Sequence, residues 1–134
     1  MIEYVNEKSK LEEYEMPGFF VGWPNPPSEM TFRKMLNKSQ YIWLAIENNK
    51  VVGFINAISD ETLAAYIPLL EVLPEYKGQG IGSKLVEQMF ESLSGHYMID
   101  IVCDDDVVPF YNRFDMYNAN GMIIRNYNRQ SGIE

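Results

Sequence analysis

The sequence has few of the residues that support metal, redox or nucleophilic chemistry. Its 134 residues include one cysteine and one histidine. Cys103 therefore cannot form an internal disulfide, and one cysteine with one histidine cannot supply the paired ligands of the usual zinc sites. We expect no metal and a reducing compartment. We also expect Cys103 to be a small buried apolar side chain rather than a nucleophile.

Positive charge is also scarce. The chain has 11 Lys and Arg residues against 19 Asp and Glu residues, a formal net charge of −8. This balance disfavours nucleic acid as a partner, because nucleic-acid affinity comes largely from neutralising phosphates. An acidic surface either attracts a cationic amine or only keeps the protein soluble, and the composition does not decide between the two.

Long apolar runs are absent as well. No stretch approaches the roughly 18 apolar residues of a membrane span, and the N-terminus lacks the basic and apolar regions of a signal peptide. We therefore expect a soluble, cytoplasmic protein without a membrane partner. The length predicts one domain, residues 1–134, which can bury about two-thirds of its unfolded surface.

The apolar pattern predicts strands and helices in the order β-α-α-β-β-β-α-β-α-β. The predicted strands cover residues 1–6, 40–47, 51–58, 64–73, 97–103 and 122–127. The predicted helices cover residues 9–14, 29–37 and 80–94 and a short segment ending at residue 114, with Ser28 and Asp106 as N-caps of the second and the last.

The segment of residues 19–27 is predicted to be a loop, because three of its last four residues are prolines. It carries Phe19, Phe20 and Trp23. These rings either form an aromatic wall for a hydrophobic or cationic ligand or close the core beneath the loop.

A glycine-rich turn is the strongest functional signal. Glycines at positions 78, 80 and 82 follow an apolar strand and open a helix. Such a turn can point successive N–H groups at an anion, and the helix dipole adds to the attraction. The spacing fits neither a dinucleotide-binding turn, whose third glycine would come one residue later, nor a P-loop, because Ser83 precedes Lys84.

The spacing Lys77-x-x-Gly80-x-Gly82 resembles the acyl-CoA pyrophosphate signature of the GNAT superfamily of N-acyltransferases. A second match follows at residues 104–114, where Phe110-Tyr111 is similar to the Phe-Tyr pair that the family carries on a short helix. The resemblance is specific over residues 51–127. This chain has Lys77 where the family usually has Arg or Gln, Asp104 where relatives often have Asn, and Asp115-Met116 in place of Gly-Phe.

The resemblance implies an α/β fold with a mixed, mostly antiparallel sheet of six to seven strands and about four helices. It also implies acetyl-CoA as acyl donor, held by the turn and by main-chain groups of a strand end that splays from its neighbour. The implied cofactor-binding residues are Val72, Leu73, Lys77, Gly78, Gln79, Gly80, Ile81, Gly82, Ser83 and Asp104. Tyr111 matches the tyrosine that commonly acts as general acid in the family.

Transfer to an amine also needs a base, since the amine arrives mostly protonated. Glu71 is our candidate, because an acid within an otherwise apolar strand is unusual and its side chain points opposite to Leu70 and Val72. The alternative is a surface or salt-bridged glutamate. We expect a small-molecule amine as acceptor, with a protein N-terminus or lysine as the alternative. A non-catalytic acyl-CoA-binding module also stays open, and a homodimer is a habit of the family.

Overall fold

A five-stranded mixed sheet organises the chain in a computed structural model that describes residues 1–133. The strands are β1 (Glu3–Val5), β2 (Tyr41–Glu47), β3 (Lys50–Ser59), β4 (Ala64–Val72) and β5 (Met98–Ile101). They lie in this order across the sheet. The first three pairings are antiparallel, and β4 pairs with β5 in parallel.

Three α-helices occur in residues 1–133: α1 (Glu29–Lys38), α2 (Ile81–Ser92) and α3 (Val108–Asn112). Four short 3₁₀ helices accompany them, at Lys8–Glu13, Pro74–Tyr76, Asp105–Val107 and Tyr127–Arg129. The predicted cap of α1 is confirmed, because the Ser28 hydroxyl accepts the Thr31 N–H at 3.1 Å. The β2–β3 turn places Asn48 and Asn49 at φ values of 51° and 64°, a left-handed geometry that asparagine tolerates.

Each face of the sheet carries its own apolar core. On one face α2 packs its buried stripe of Leu85, Val86 and Met89 against the strands. On the other face α1 and the 19–27 loop cover an aromatic cluster in which the Phe32 and Phe54 rings lie 4.8 Å apart. The alternation along β4 shifts by one residue at the irregularity in its pairing with β3, so Ala65, Ile67, Leu70 and Val72 all belong to the α2 core, whereas Leu69 packs against the aromatic cluster.

Two sequence predictions are wrong. The sheet has five strands among the described residues instead of six to seven, because the segment 122–127 pairs with no strand. A strand needs both a hydrogen-bonded edge and a surface for its apolar face, and this segment finds neither among residues 1–133. Asp106 is not an N-cap. It lies inside the 3₁₀ helix Asp105–Val107, and α3 starts two residues later without a side-chain cap.

No α-helix within residues 1–133 combines the length and the apolar character needed to cross a lipid bilayer. The same residues contain no group of three or more His, Cys, Asp or Glu side chains placed to hold a metal ion.

Candidate functional site

The central feature of the site is a gap that opens between β4 and β5. The parallel ladder runs from Ala64 opposite Met98 to Ile67 opposite Ile101 and ends there. β4 continues to Val72, and within the described chain its residues 68–72 pair only with β3. One edge of this strand therefore lies open beyond Ile67.

The register shows which main-chain groups face the gap. The Leu73 N–H donates to the Val52 carbonyl at 2.9 Å, while Val72 lies opposite Gly53. In an antiparallel ladder, hydrogen-bonded and non-hydrogen-bonded pairs alternate. Because Leu73 bonds to Val52, the neighbouring pair of Val72 and Gly53 is a non-hydrogen-bonded pair. The N–H and C=O of Val72 therefore point away from β3 and toward the gap. Leu70, two residues earlier, has the same orientation.

The glycine-rich turn lies at the same end of the sheet, directly before α2. Gly78 and Gly80 have φ values of +79° and +83°, a left-handed conformation that favours glycine. Gly80 is the N-cap of α2 and provides no side-chain cap. Within residues 1–133, no protein acceptor takes the N–H groups of residues 78–83. The turn thus presents a row of free donors at a helix N-terminus, which is the arrangement that binds phosphate.

Three segments meet at this turn. A Cβ built on Gly82 would lie 3.8 Å from Val72 Cγ2 and 3.8 Å from Phe110 Cζ, so the end of β4, the start of α2 and helix α3 are in contact. Arg113 joins them, because its Nη2 donates to the Ser83 hydroxyl at 2.6 Å. Its guanidinium lies over the Phe110 ring, 5.0 Å from the centroid.

Sequence reasoning missed Arg113. The signal was present, because Arg113 lies two residues after Tyr111 within the segment that carries the family resemblance. It places a fixed positive charge beside the free donors of the turn, where a phosphate group would bind.

Tyr111 is buried against the α2 core, on the same short helix as Phe110. Burial raises the pKa of Tyr111 to about 12, and the nearby Cys103 adds to the rise. The hydroxyl therefore keeps its proton at neutral pH. It makes no hydrogen bond to residues 1–133, so it is free to donate to a ligand.

Cys103 is half-buried rather than fully buried. Burial and the three aspartates that follow it raise the pKa of its thiol. Since the thiolate is the nucleophilic form, this environment favours an inert thiol, in line with the sequence prediction.

Glu71 lies on the opposite side of β4 from Val72. Its two carboxylate oxygens accept the N–H groups of Phe20 at 2.9 Å and Val21 at 3.2 Å. These bonds fasten the 19–27 loop to the strand next to the gap. A carboxylate has about four lone-pair sites, so the two bonds leave acceptor capacity for a proton.

The remaining sequence-predicted residues differ in what they can do. Both main-chain groups of Leu73 are engaged, since its carbonyl accepts the Tyr76 N–H at 2.9 Å and its N–H bonds Val52. Leu73 therefore has no free main-chain group for a cofactor. Lys77 and Gln79 are exposed on the turn, whereas Ile81 is buried beneath it. The Asp104 side chain is exposed and makes no hydrogen bond to residues 1–133.

The aromatic loop contributes to the core and also borders a cavity. Phe19 and Phe20 contact Phe32 edge to face and so belong to the core. Phe20 and Trp23 also line a cavity of about 360 Å³. The other lining residues come from α1, β4 and the C-terminal segment: Pro27, Thr31, Lys34, Met35, Lys38, Leu69, Gln130, Gly132 and Ile133.

The sequence matches the model of a known protein family over most of its length. Residues 8–116 match the model described as the acetyltransferase (GNAT) family. This span includes β4, the glycine-rich turn, α2 and α3. The chain belongs to the GNAT family.

Individual relatives agree with this assignment. The crystal structure of a proposed acetyltransferase from Deinococcus radiodurans R1 superposes with a TM-score of 0.89 at 41% identity, covering 99% of this chain and 94% of that one. A GNAT-family acetyltransferase from Streptococcus pneumoniae TIGR4 has a TM-score of 0.72 at 26% identity, over 94% and 98% of the two chains.

Among sequence relatives, the uncharacterized N-acetyltransferase ycf52 of Pyropia yezoensis is 30% identical over 113 residues. The alignment covers 81% of this chain but only 65% of that relative. The chain likewise spans 65% of a second relative, the N-alpha-acetyltransferase 30 of Schizosaccharomyces pombe.

Proposed function

We propose that the protein is an N-acetyltransferase that moves the acetyl group of acetyl-CoA to a primary amine by direct attack in a ternary complex. The observation that carries this proposal is the row of free N–H groups at residues 78–83 beside the open edge of β4. The turn would bind the pyrophosphate. The main-chain groups of Leu70 and Val72 would pair with the pantetheine arm, which then occupies the place of a missing strand.

The residues offer a role for each step of the transfer. The amine nitrogen attacks the thioester carbonyl carbon, and negative charge develops on the carbonyl oxygen. The Val72 N–H faces the gap and would stabilise that charge. The C–S bond then breaks, and the departing thiolate takes the proton of the Tyr111 hydroxyl. The nitrogen, which is positively charged after the attack, loses its surplus proton, and this proton restores the Tyr111 hydroxyl. The high pKa of Tyr111 guarantees the protonated form, while position must supply the driving force.

Glu71 remains our candidate for the base that removes the amine proton. Glu71 directly precedes Val72 in β4, and its carboxylate bonds to the loop that lines the cavity. Because it also fastens that loop, replacing it would affect acceptor binding as well as proton transfer. The dependence of kcat on pH separates the two roles. Replacing Glu71 abolishes the fall in kcat at acidic pH only if Glu71 is the base.

The cavity beside Trp23 supports a small-molecule acceptor. Its volume of about 360 Å³, with Gln130 and Ile133 among the residues that line it, suits a compact amine better than an extended peptide. We further propose that residues 1–134 act as one domain in the cytoplasm, where a thiol such as Cys103 stays reduced.

Two measurements test the function. Calorimetry measures coenzyme A binding, and a free-thiol assay with a panel of amines measures transfer. Tyr111→Phe should lower kcat by about 100-fold and leave the Kd of coenzyme A unchanged. The control Tyr97→Phe, at an exposed site, should behave as wild type.

The outcomes separate the alternatives. Absence of coenzyme A binding would refute the proposal. Binding without thiol release for any amine would favour the acyl-CoA-binding module, and release only with peptide amines would favour a protein acceptor. A Glu71→Gln variant that keeps the acidic limb of the kcat profile would exclude Glu71 as the base.

A further inference from the structure

One face of α1 forms a wall of the cavity beside Trp23. Four residues of this helix line the cavity, at the spacing i, i+3, i+4 and i+7 that places side chains on one helix face: Thr31, Lys34, Met35 and Lys38. Phe20 and Trp23 of the loop and Leu69 of β4 also line the cavity. The cavity therefore combines an apolar lining with two positive charges on neighbouring turns of α1.

These two charges are not neutralised by the part of the chain that the structure describes. Lys34 and Lys38 are the only charged side chains among residues 1–133 that line the cavity. Neither lysine forms an ion pair with a carboxylate of those residues. The whole chain has a net charge of −8, so this basic pair differs in sign from its surroundings. Because low-dielectric walls focus the field of nearby charges, the cavity attracts an anion and repels a cation.

Gln130 adds a third hydrogen-bond donor to the cavity lining. Its side-chain Oε1 accepts the Asn25 N–H at 2.8 Å, and its Nε2 group has no acceptor among residues 1–133. Lysine ammonium groups and an amide NH₂ group can only donate. A ligand group with several acceptor oxygens, such as a carboxylate or a phosphate, is the natural partner for such a set of donors.

The cavity lies next to the proposed reaction centre. Leu69 lies two residues before Glu71 on the same face of β4, about 7 Å along the strand. Phe20 also connects the two places, because it lines the cavity while its N–H donates to the Glu71 carboxylate at 2.9 Å. A compact acceptor whose amine lies at Glu71 can therefore extend into the cavity toward α1.

We propose that the acceptor is an amine with an anionic group, a carboxylate or a phosphate, at the end opposite to the nitrogen. This inference rests on the proposed function, which places the amine beside Glu71. Lys34 and Lys38 bind the anion and determine specificity, while the apolar lining holds the carbon body. The acidic composition alone allowed a cationic acceptor, but this basic pair disfavours an acceptor with a second positive charge.

Four amines with carbon chains of similar length test the proposal: ε-aminocaproate, aminohexyl phosphate, hexylamine and hexamethylenediamine. Calorimetry in the presence of coenzyme A measures their binding, and thiol release from acetyl-CoA measures their acetylation. At least one of the two anionic amines should bind about tenfold more tightly than hexylamine, and the diamine should bind most weakly. The tighter of the two anionic amines identifies the group that the lysines bind.

A double variant tests the role of the lysines. Lys34→Gln combined with Lys38→Gln should raise the Kd of the preferred anionic amine about tenfold, to the value for hexylamine. The Kd and kcat for hexylamine should stay as in wild type. The control combines Lys8→Gln and Lys10→Gln, which remove the same charge from the 3₁₀ helix Lys8–Glu13, outside the lining of this cavity. This control should keep the preference for the anion.

Equal binding of the anionic and neutral amines would overturn the proposal. A preference that the Lys34 and Lys38 double variant retains, or that the control also loses, would overturn it as well. Failure of the proposed function gives a different result. If no amine released thiol, but the anionic amines still bound more tightly and only through Lys34 and Lys38, acetyl transfer would be refuted and the anion site in the cavity would stand.

Discussion

Replacing Gly80 by alanine tests the phosphate turn directly. A Cβ at Gly80 would meet no atom within 4 Å, so the substitution creates no clash. Its effect comes from the backbone, because φ is +83° and alanine in the left-handed region is about 1–2 kcal/mol less stable. If the free turn relaxes to avoid this strain, binding of coenzyme A must restore it. The Kd for coenzyme A should then rise by about 5–30-fold.

Gly22 provides a matched control. It also has φ of +83°, has nothing within 4 Å of a built Cβ, and lies in the loop on the other side of the sheet. Urea unfolding should give Gly22→Ala a larger stability loss than Gly80→Ala, because the Gly80 turn relaxes in the free protein, while calorimetry should give Gly22→Ala the wild-type Kd for coenzyme A. If Gly80→Ala and Gly22→Ala bound coenzyme A with equal affinity, the turn would not be the pyrophosphate site. This holds whether both affinities match wild type or both are lower.

Two further perturbations test the electrostatics. Arg113→Ala should raise the Kd for coenzyme A by about tenfold and weaken the dependence of this Kd on salt, because Arg113 beside Ser83 adds a charge-assisted donor. Lys10→Ala removes a distant positive charge and is the control. An equal loss of affinity in Lys10→Ala would contradict a direct contact between Arg113 and coenzyme A. The N–H groups of Ala64, Thr62 and Leu63 lower the pKa of Asp60 from 3.8 to about 2. Its ionised form therefore stabilises the fold above pH 3.8, and this contribution is lost as the pH falls through about 2. The free energies of unfolding of wild type and Asp60→Asn, measured in denaturant, should converge over that interval, and a difference that persists unchanged at pH 2 would show that the charge is not responsible.

Features encoded in a few neighbouring residues were predictable from the sequence. The Ser28 cap depends on residues three positions apart, and the β2–β3 turn depends on two asparagines that tolerate a left-handed backbone. The glycine-rich turn is local in the same sense. Its resemblance to a known family also led correctly to a mixed, mostly antiparallel sheet.

Features that depend on distant contacts were not predictable. The Glu71 carboxylate binds the N–H of Phe20, 51 residues away, and no spacing rule reveals that bond. Aspartate is a common N-cap residue, but Asp106 lies inside a 3₁₀ helix and therefore does not cap α3. The segment 122–127 has a strand-like sequence, yet a strand exists only where another edge receives it. The sequence encodes the propensity of that segment but not the location of its partner.

The gap between β4 and β5 makes the free energy of unfolding depend on the concentration of the ligand that fills it. Any ligand that fills the gap binds the native chain alone, because the unfolded chain has no such edge. At a ligand concentration of 100 times its Kd, this linkage adds about 2.7 kcal/mol to the free energy of unfolding. Such a gain is a substantial fraction of the stability of a small domain. The melting temperature in a cell would therefore follow the supply of the ligand, and protein purified without that ligand would be its least stable form.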